Sequence, residues 1–224
     1  MADDPTSTQR RAVAEALVHW YRSSARDLPW RRRRTPYRVW LAEIMLQQTR
    51  VDQALGYYRR FLRAFPSLRA LAAAPLDRVL KAWEGLGYYS RARNLHATAR
   101  VIQRKYGGRF PRELDAIRQL PGIGAYTAAA IGSLAFGIDA AVVDGNVARV
   151  LARLFAIDED AGRPAARRRF QELADALLPR GRAGVFNEAM MELGATVCTP
   201  RNPACPFCPV RRFCAARAAG DPTL

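Results

Sequence analysis

All four cysteines of the chain lie between positions 198 and 214, in the spacing Cys198-x6-Cys205-x2-Cys208-x5-Cys214. Four thiolates in one short loop, following a helical stretch, can enclose a single compact inorganic centre. Zinc accepts four cysteines, but its common patterns pair two C-x2-C units across a longer gap, and only one C-x2-C occurs here. On spacing alone, zinc and an iron-sulfur cluster both remain open, with two disulfides a poor third. Pro200, Pro203, Pro206 and Pro209 stiffen the loop, and Arg201, Arg211 and Arg212 make it basic. A structural centre that also presents cations fits this better than a redox enzyme does.

Two further stretches have chemical potential. Leu120-Pro121-Gly122-Ile123-Gly124-Ala125-Tyr126-Thr127 reads as a helix stop, a tight G-x-G turn and a new helix running on through Ala128 to Ile131. Glycines let the backbone approach a ligand closely, and the amides at a helix start attract an anion. A phosphate is the natural occupant, and an ordinary turn between packed helices is the alternative. Twenty residues after Gly124, Asp144 stands in Val143-Asp144-Gly145-Asn146, where it can cap the next helix. A carboxylate so placed is also held ionised by the helix dipole, the state needed beside a developing cation.

The elements that must position these residues are helical. Val13, Leu17, Trp20 and Tyr21 share one face, as do Leu95, Ala99, Ile102 and Tyr106, and then Val147, Val150, Leu151 and Leu154. No strand alternation is convincing. Breaks near Pro29, Pro66, Pro75, Gly107, Pro121, Gly181 and Pro200 leave roughly ten helices with short connections, an all-α protein without repeats or low-complexity linkers. At 224 residues and 50% hydrophobic, the chain can bury one large core or two small ones.

Charge narrows the partner. The net charge of +16, from 36 basic against 20 acidic residues, favours a polyanion, nucleic acid first. Lys81 and Lys105 are the only lysines, so the charge is arginine, which forks onto phosphates. The cluster Arg31 to Arg34, just before the helix that Pro36 opens, either meets phosphate or stays wet. The N-terminal MADDPTSTQRR has no apolar stretch after its charges, and no run of about 18 apolar residues occurs. Neither a signal peptide nor a membrane span is read, no membrane partner is expected, and the protein is expected in the cytoplasm.

Six ordered blocks then carry a resemblance across nearly the whole length. They are LPWR at 28 to 31, PYRVWLAEIMLQQTRV at 36 to 51, GLGYYSRARNL at 85 to 95, LPGIGAYTAAAI at 120 to 131, VDGNVARVLARL at 143 to 154, and FNEAMMELGATVC at 186 to 198. The chain resembles the endonuclease III and MutY group of helix-hairpin-helix DNA glycosylases. The MLQQT and GLGYYSRARNL blocks are similar to the adenine glycosylase branch.

The resemblance implies a fold of two helical lobes flanking a cleft. A six-helix barrel with the hairpin spans 29–139, and a discontinuous lobe of 1–28 with 140–224 carries a 4Fe-4S cluster on the four cysteines. It implies a monofunctional glycosylase of base excision repair acting on mispaired adenine, opposite 8-oxoguanine or guanine. The partner is duplex DNA with a mispaired or damaged base, met at the bacterial nucleoid by a monomer. Glu43 matches the family's acid, protonated to donate to N7 of the flipped base and then to activate water. Asp144 matches the ionised group that stabilises the sugar cation, with Asn146 and Tyr126 holding both in register. Gln48 and Tyr88 match residues that wedge into the duplex, Arg26, Trp30, Leu46 and Glu188 an adenine pocket, and Gly122 and Gly124 the phosphate-binding hairpin.

Without the motif, Glu43 reads as a surface charge and Tyr88 and Trp30 as buried aromatics. Bifunctional relatives carry a lysine at the hairpin position that here holds Tyr126, so base removal without efficient strand cleavage is expected. Adenine-excising members usually continue into a C-terminal domain that reads the oxidised base, and this chain ends at Leu224. That departure keeps a thymine or uracil mismatch glycosylase acting opposite guanine as the alternative reading. A non-catalytic iron-sulfur DNA-binding protein is a further one, disfavoured because Glu43 and Asp144 both remain.

Overall fold

The computed structural model describes residues 6–222, and among them helices account for all regular structure. The all-α expectation therefore holds. Thirteen α-helices and two short 3-10 turns form, against the roughly ten expected, because one-turn helices such as Pro29–Arg32 and Ala215–Ala218 are too short to show a period. Backbone proximity divides the chain into two compact units. One runs to Arg26 and resumes at Gly137; the other is Asp27–Phe136.

In the Asp27–Phe136 unit, α1 of this stretch is the one-turn Pro29–Arg32, and the central helix is α2, Pro36–Leu46. Pro36 opens α2 at a position where a missing N–H costs nothing, and Thr35 caps it, its hydroxyl accepting from Arg38 N at 3.4 Å. α2 buries Tyr37 and Val39 through Met45, so it is apolar nearly all round, as a core helix must be. It lies against the hairpin's second helix, α8 (Ala125–Phe136), whose buried face of Thr127 to Ser133 is mostly alanine and glycine and permits close approach.

Between them run α3 (Val51–Ala64), α4 (Leu68–Ala73), α5 (Leu76–Trp83), α6 (Tyr89–Lys105) and α7 (Leu114–Arg118). Their aromatic core stacks edge to face, with Trp40 on Phe110 at 5.3 Å and Phe61 on Trp83 at 5.8 Å between ring centres.

The other unit is built on α9 (Ser7–Ser24), α10 (Gly145–Leu154), α11 (Pro164–Leu177) and α12 (Ala183–Thr196), followed by the cysteine loop and the one-turn α13 (Ala215–Ala218). α12 packs against both α9 and α10 and buries Phe186, Ala189, Met190 and Leu193 together with Asn187, Glu188 and Glu192. Those three polar residues on a core face are the first sign that this unit does more than hold itself together.

Candidate functional site

Glu43 is 7% exposed on α2, flanked by the buried Ala42 and Ile44. The surface-charge alternative for it is thereby removed. Leu46, at the end of the same helix, is partly buried against the unit's core. Trp30 is buried and meets Tyr58 edge to face at 5.2 Å, so its ring contributes to packing whatever else it does.

The hairpin is built as its glycines suggest, but the two glycines differ. Gly122 has φ +72°, and a Cβ there would stand 2.8 Å from the Cβ of Asn94 on α6. Both backbone and neighbour demand glycine at this position. Gly124 has open space around a would-be Cβ. The backbone bond from Ala128 N to Gly124 O, 2.9 Å long, begins the α8 ladder, so the amides of residues 125–127 precede it and face outward at the helix start. Tyr126 sits half-buried on that first turn. Of the two lysines, Lys81 pairs with Glu84 at 2.6 Å and Lys105 lies over the Tyr106 ring at the far end of α6.

Asp144 is the N-cap of α10. One carboxylate oxygen accepts from Val147 N at 2.7 Å and the other from Asn146 Nδ2 at 3.2 Å. Asn146 is held in turn, its Oδ1 accepting from Arg149 at 2.8 Å, and Arg149 also donates to the carbonyls of Gly194 at 2.7 Å and Cys198 at 2.8 Å. Gly194 is required here, since a Cβ would lie 2.6 Å from that of Asn146. Upstream, Asn187 of α12 accepts from Val142 N at 3.1 Å and donates to Ala140 O at 2.8 Å, which fixes the segment leading into Asp144. Burial draws the Arg149 guanidinium below its ordinary value, with Cys198 opposing.

On α12, Glu188 is buried, and one turn on Glu192 is fully buried. Glu192 receives a two-pronged bond from Arg26, Nε at 2.8 Å and Nη2 at 2.9 Å, and a third from the Arg26 amide. Arg26, expected at a base pocket, is thus anchored by a carboxylate that sequence reading did not single out. The signal was present as two glutamates four apart in the run Phe186 to Ala195, where Asn187 is the one other polar residue.

The four cysteines line one cavity with Arg153, Val197 and Pro203. Arg153 donates to the carbonyls of Thr199 at 2.7 Å and Pro200 at 3.0 Å and lies 3.5 Å from the Cys198 sulfur, so α10 braces the loop at two points. Among the described residues no group of three or more His, Cys, Asp or Glu is arranged to hold a single metal ion. Burial pushes the Cys208 thiol up to about 11 and Cys214 upward too, and in both the neighbouring sulfurs add to the rise. Such thiols ionise readily only against positive charge, as metal ligands do.

The wedge candidates lie in the Asp27–Phe136 unit and are exposed, Tyr88 at 60%. The buried-aromatic alternative for Tyr88 does not apply. Both adopt left-handed backbone, Gln48 with φ 54° and Tyr88 with φ 49°, a conformation that costs a non-glycine residue about 1 kcal/mol or more. Sequence reading missed what holds them, the buried Arg91 of α6, which reaches the turns of both.

No helix among the described residues is long and apolar enough to cross a membrane. A model of the HhH-GPD superfamily of base excision DNA repair proteins matches residues 41–176. The human adenine DNA glycosylase is 48% identical over 215 residues, which are 92% of this chain and 39% of the human protein. The adenine DNA glycosylase of Mycobacterium tuberculosis is 41% identical over 98% of this chain and 72% of its own. The chain spans about two-fifths of the length of the mammalian relatives it matches. A solved thermostable thymine-DNA glycosylase superposes with a TM-score of 0.86 at 33% identity, over 96% of this chain and all of that one. An endonuclease III–DNA complex superposes with a TM-score of 0.79 at 24% identity, over 97% and 99% of the two chains, which is a likeness of fold.

Proposed function

Because this chain belongs to the HhH-GPD superfamily of base excision DNA repair proteins, we propose that it hydrolyses the N-glycosidic bond of a mispaired adenine turned out of duplex DNA, without efficient strand cleavage. The observation that carries the reading is a contrast between two carboxyls. Glu43 is buried on an apolar helix, and Asp144 is held at a helix start by an amide and an asparagine. Base loss needs a proton donor and an anion in different settings.

Burial opposes the ionised form of a carboxyl, which suits Glu43 to donate its proton to N7 of adenine. The C1′–N9 bond then breaks, its electron pair leaves with the base, and the Asp144 carboxylate stabilises the cationic sugar. Water adds to C1′ and gives its proton to the Glu43 carboxylate, restoring the acid. Asn146 and Tyr126 keep these groups in register. A pyrimidine offers no N7, which is why Glu43 favours a purine. Tyr126 at the hairpin position offers no amine for a Schiff base, and neither Lys81 nor Lys105 stands on the hairpin.

Gln48 and Tyr88 enter the duplex as the base leaves, and Arg26, Trp30, Leu46 and Glu188 border it. Gly122 and Gly124 let a DNA phosphate reach the amides of residues 125–127. Cys198, Cys205, Cys208 and Cys214 hold a 4Fe-4S cluster, which cross-links the loop and takes no part in bond cleavage. Iron and acid-labile sulfide at about four each per chain test that assignment, and about one zinc would replace it. The enzyme acts as a monomer on chromosomal DNA in the cytoplasm.

The decisive assay is strand cleavage of duplexes carrying A opposite 8-oxoguanine, A opposite G, T opposite G and U opposite G, each with and without alkali. Adenine duplexes cleaved only after alkali are expected, with Glu43→Gln lowering the rate by at least about a hundredfold at unchanged duplex affinity. Removal of pyrimidines alone would install the second reading, a thymine or uracil mismatch glycosylase, which the end-to-end likeness to a thymine-DNA glycosylase favours.

A further inference from the structure

We propose that Arg91 is a positioning residue that locks the turns carrying Gln48 and Tyr88 into one rigid wedge, an inference resting on the duplex-entering role assigned to those two side chains above. Arg91 lies on α6, 8% exposed, and its terminal nitrogens reach six acceptors on two separate stretches of chain. Nη1 donates to the carbonyls of Ile44 and Met45, each at 3.1 Å, and to that of Gln47, the residue before Gln48. Nη2 donates to the carbonyls of Leu86 and Gly87, each at 3.3 Å, the latter being the residue before Tyr88. The Thr49 hydroxyl stands 3.3 Å from both nitrogens and donates to Gln47 O. One planar cation thus joins the peptide before each of the two left-handed residues.

The electrostatics of the arrangement are those of a fastening. No carboxylate pairs with Arg91 among the described residues, so its charge is balanced by carbonyl dipoles at the end of α2 and in the 85–88 turn. The rings of Trp83 and Tyr88 lie 5.6 and 5.2 Å from the guanidinium carbon. The 85–88 turn uses two glycines where the backbone turns left-handed, Gly85 at φ +90° and Gly87 at φ +76°, and Trp83 Nε1 donates to Gly87 O at 3.0 Å. Left-handed backbone persists where surroundings over-determine it, and here they do so for two exposed side chains. An unfastened turn would let each side chain relax instead of holding against base stacking, and extrusion must be driven by something that does not yield.

Arg91→Lys tests this, since one ammonium keeps the charge but cannot span both turns. In the free protein, amide exchange followed by mass spectrometry is expected to speed by about tenfold or more in residues 46–50 and 85–88 together, with α12 unchanged. Acceleration in only one turn, or equally along the whole chain, would overturn the clamp. In a duplex with 2-aminopurine opposite guanine, fluorescence gained on binding should fall at least about fivefold at an affinity within about threefold of the parent. Adding Arg91→Lys to a Gln48→Ala/Tyr88→Ala double variant should cost no more than that double variant alone; a further loss, or undiminished fluorescence in Arg91→Lys itself, would reject the inference.

Should Arg91→Lys fold poorly, Thr49→Val removes one shared acceptor and should shift exchange the same way by a smaller factor, and no shift again rejects it. A parent protein that leaves 2-aminopurine stacked in every duplex overturns the wedge role, while exchange in the free protein separately decides whether Arg91 couples the turns.

Discussion

Asp144→Asn separates two duties that one side chain performs. As a cap, asparagine is the equal of aspartate, and its Oδ1 can accept from Val147 N as the carboxylate does at 2.7 Å. What it loses in stability is the charge at the α10 N-terminus, about 0.3–1 kcal/mol. For a chain of this size that lowers Tm by about 1–4 °C. Asp144→Ala loses the cap as well, about 1 kcal/mol more, and leaves the Asn146 amide without its acceptor at 3.2 Å.

The chemical loss is of a different order. Removing one pre-oriented electrostatic group beside developing charge costs about 10²–10³ in rate. The two variants should therefore differ in Tm and share the rate loss. Single-turnover excision with enzyme in excess, read on a denaturing gel after alkali, gives the rate, and circular dichroism gives Tm. If Asp144→Asn keeps more than about a tenth of the parent rate, or the two rates follow the two melting temperatures, the carboxylate is a cap and nothing more.

Gly122→Ala should destabilise by about 1–3 kcal/mol in urea unfolding, from its positive φ and the Asn94 contact, whereas Gly124→Ala should stay within about 0.5 kcal/mol. Equal effects would refute the difference drawn between them. Glu192→Ala removes the buried carboxylate that holds Arg26, and the loss of such a partner costs about 3–5 kcal/mol, toward the lower end because Arg26 is 39% exposed and can rehydrate. A melting curve matching the parent would exclude a structural role for that pair. Tyr126→Lys should introduce strand nicking without alkali, with a protein–DNA adduct trapped by borohydride; base removal with no adduct would show that this position does not reach the sugar.

The residues legible from the sequence are those whose geometry is local. Gly122 announces its turn because a positive φ narrows the choice of residue, and Asp144 announces a cap because it stands directly before the helix it serves. Four cysteines within one loop are held near one another by chain length alone. Glu43 was legible only through the block around it, since nothing in Ala42-Glu43-Ile44 distinguishes a buried acid from a surface one. Arg91, Arg149 and Arg153 were not legible at all. Each is one arginine among many in a chain of net charge +16, and each acts through carbonyls far away in sequence, such as Ile44 for Arg91 and Cys198 for Arg149.

The sequence by itself determined helix content, the hairpin, the cap and the membership of the cysteine loop, because a period of 3.6 residues, a glycine turn and a ligand spacing are short-range properties of the chain. Tertiary structure alone decided which charges are buried and which carbonyls they satisfy. A guanidinium's partners depend on which segments the core brings beside it, and hydrophobic packing, which is indifferent to arginine, makes that choice.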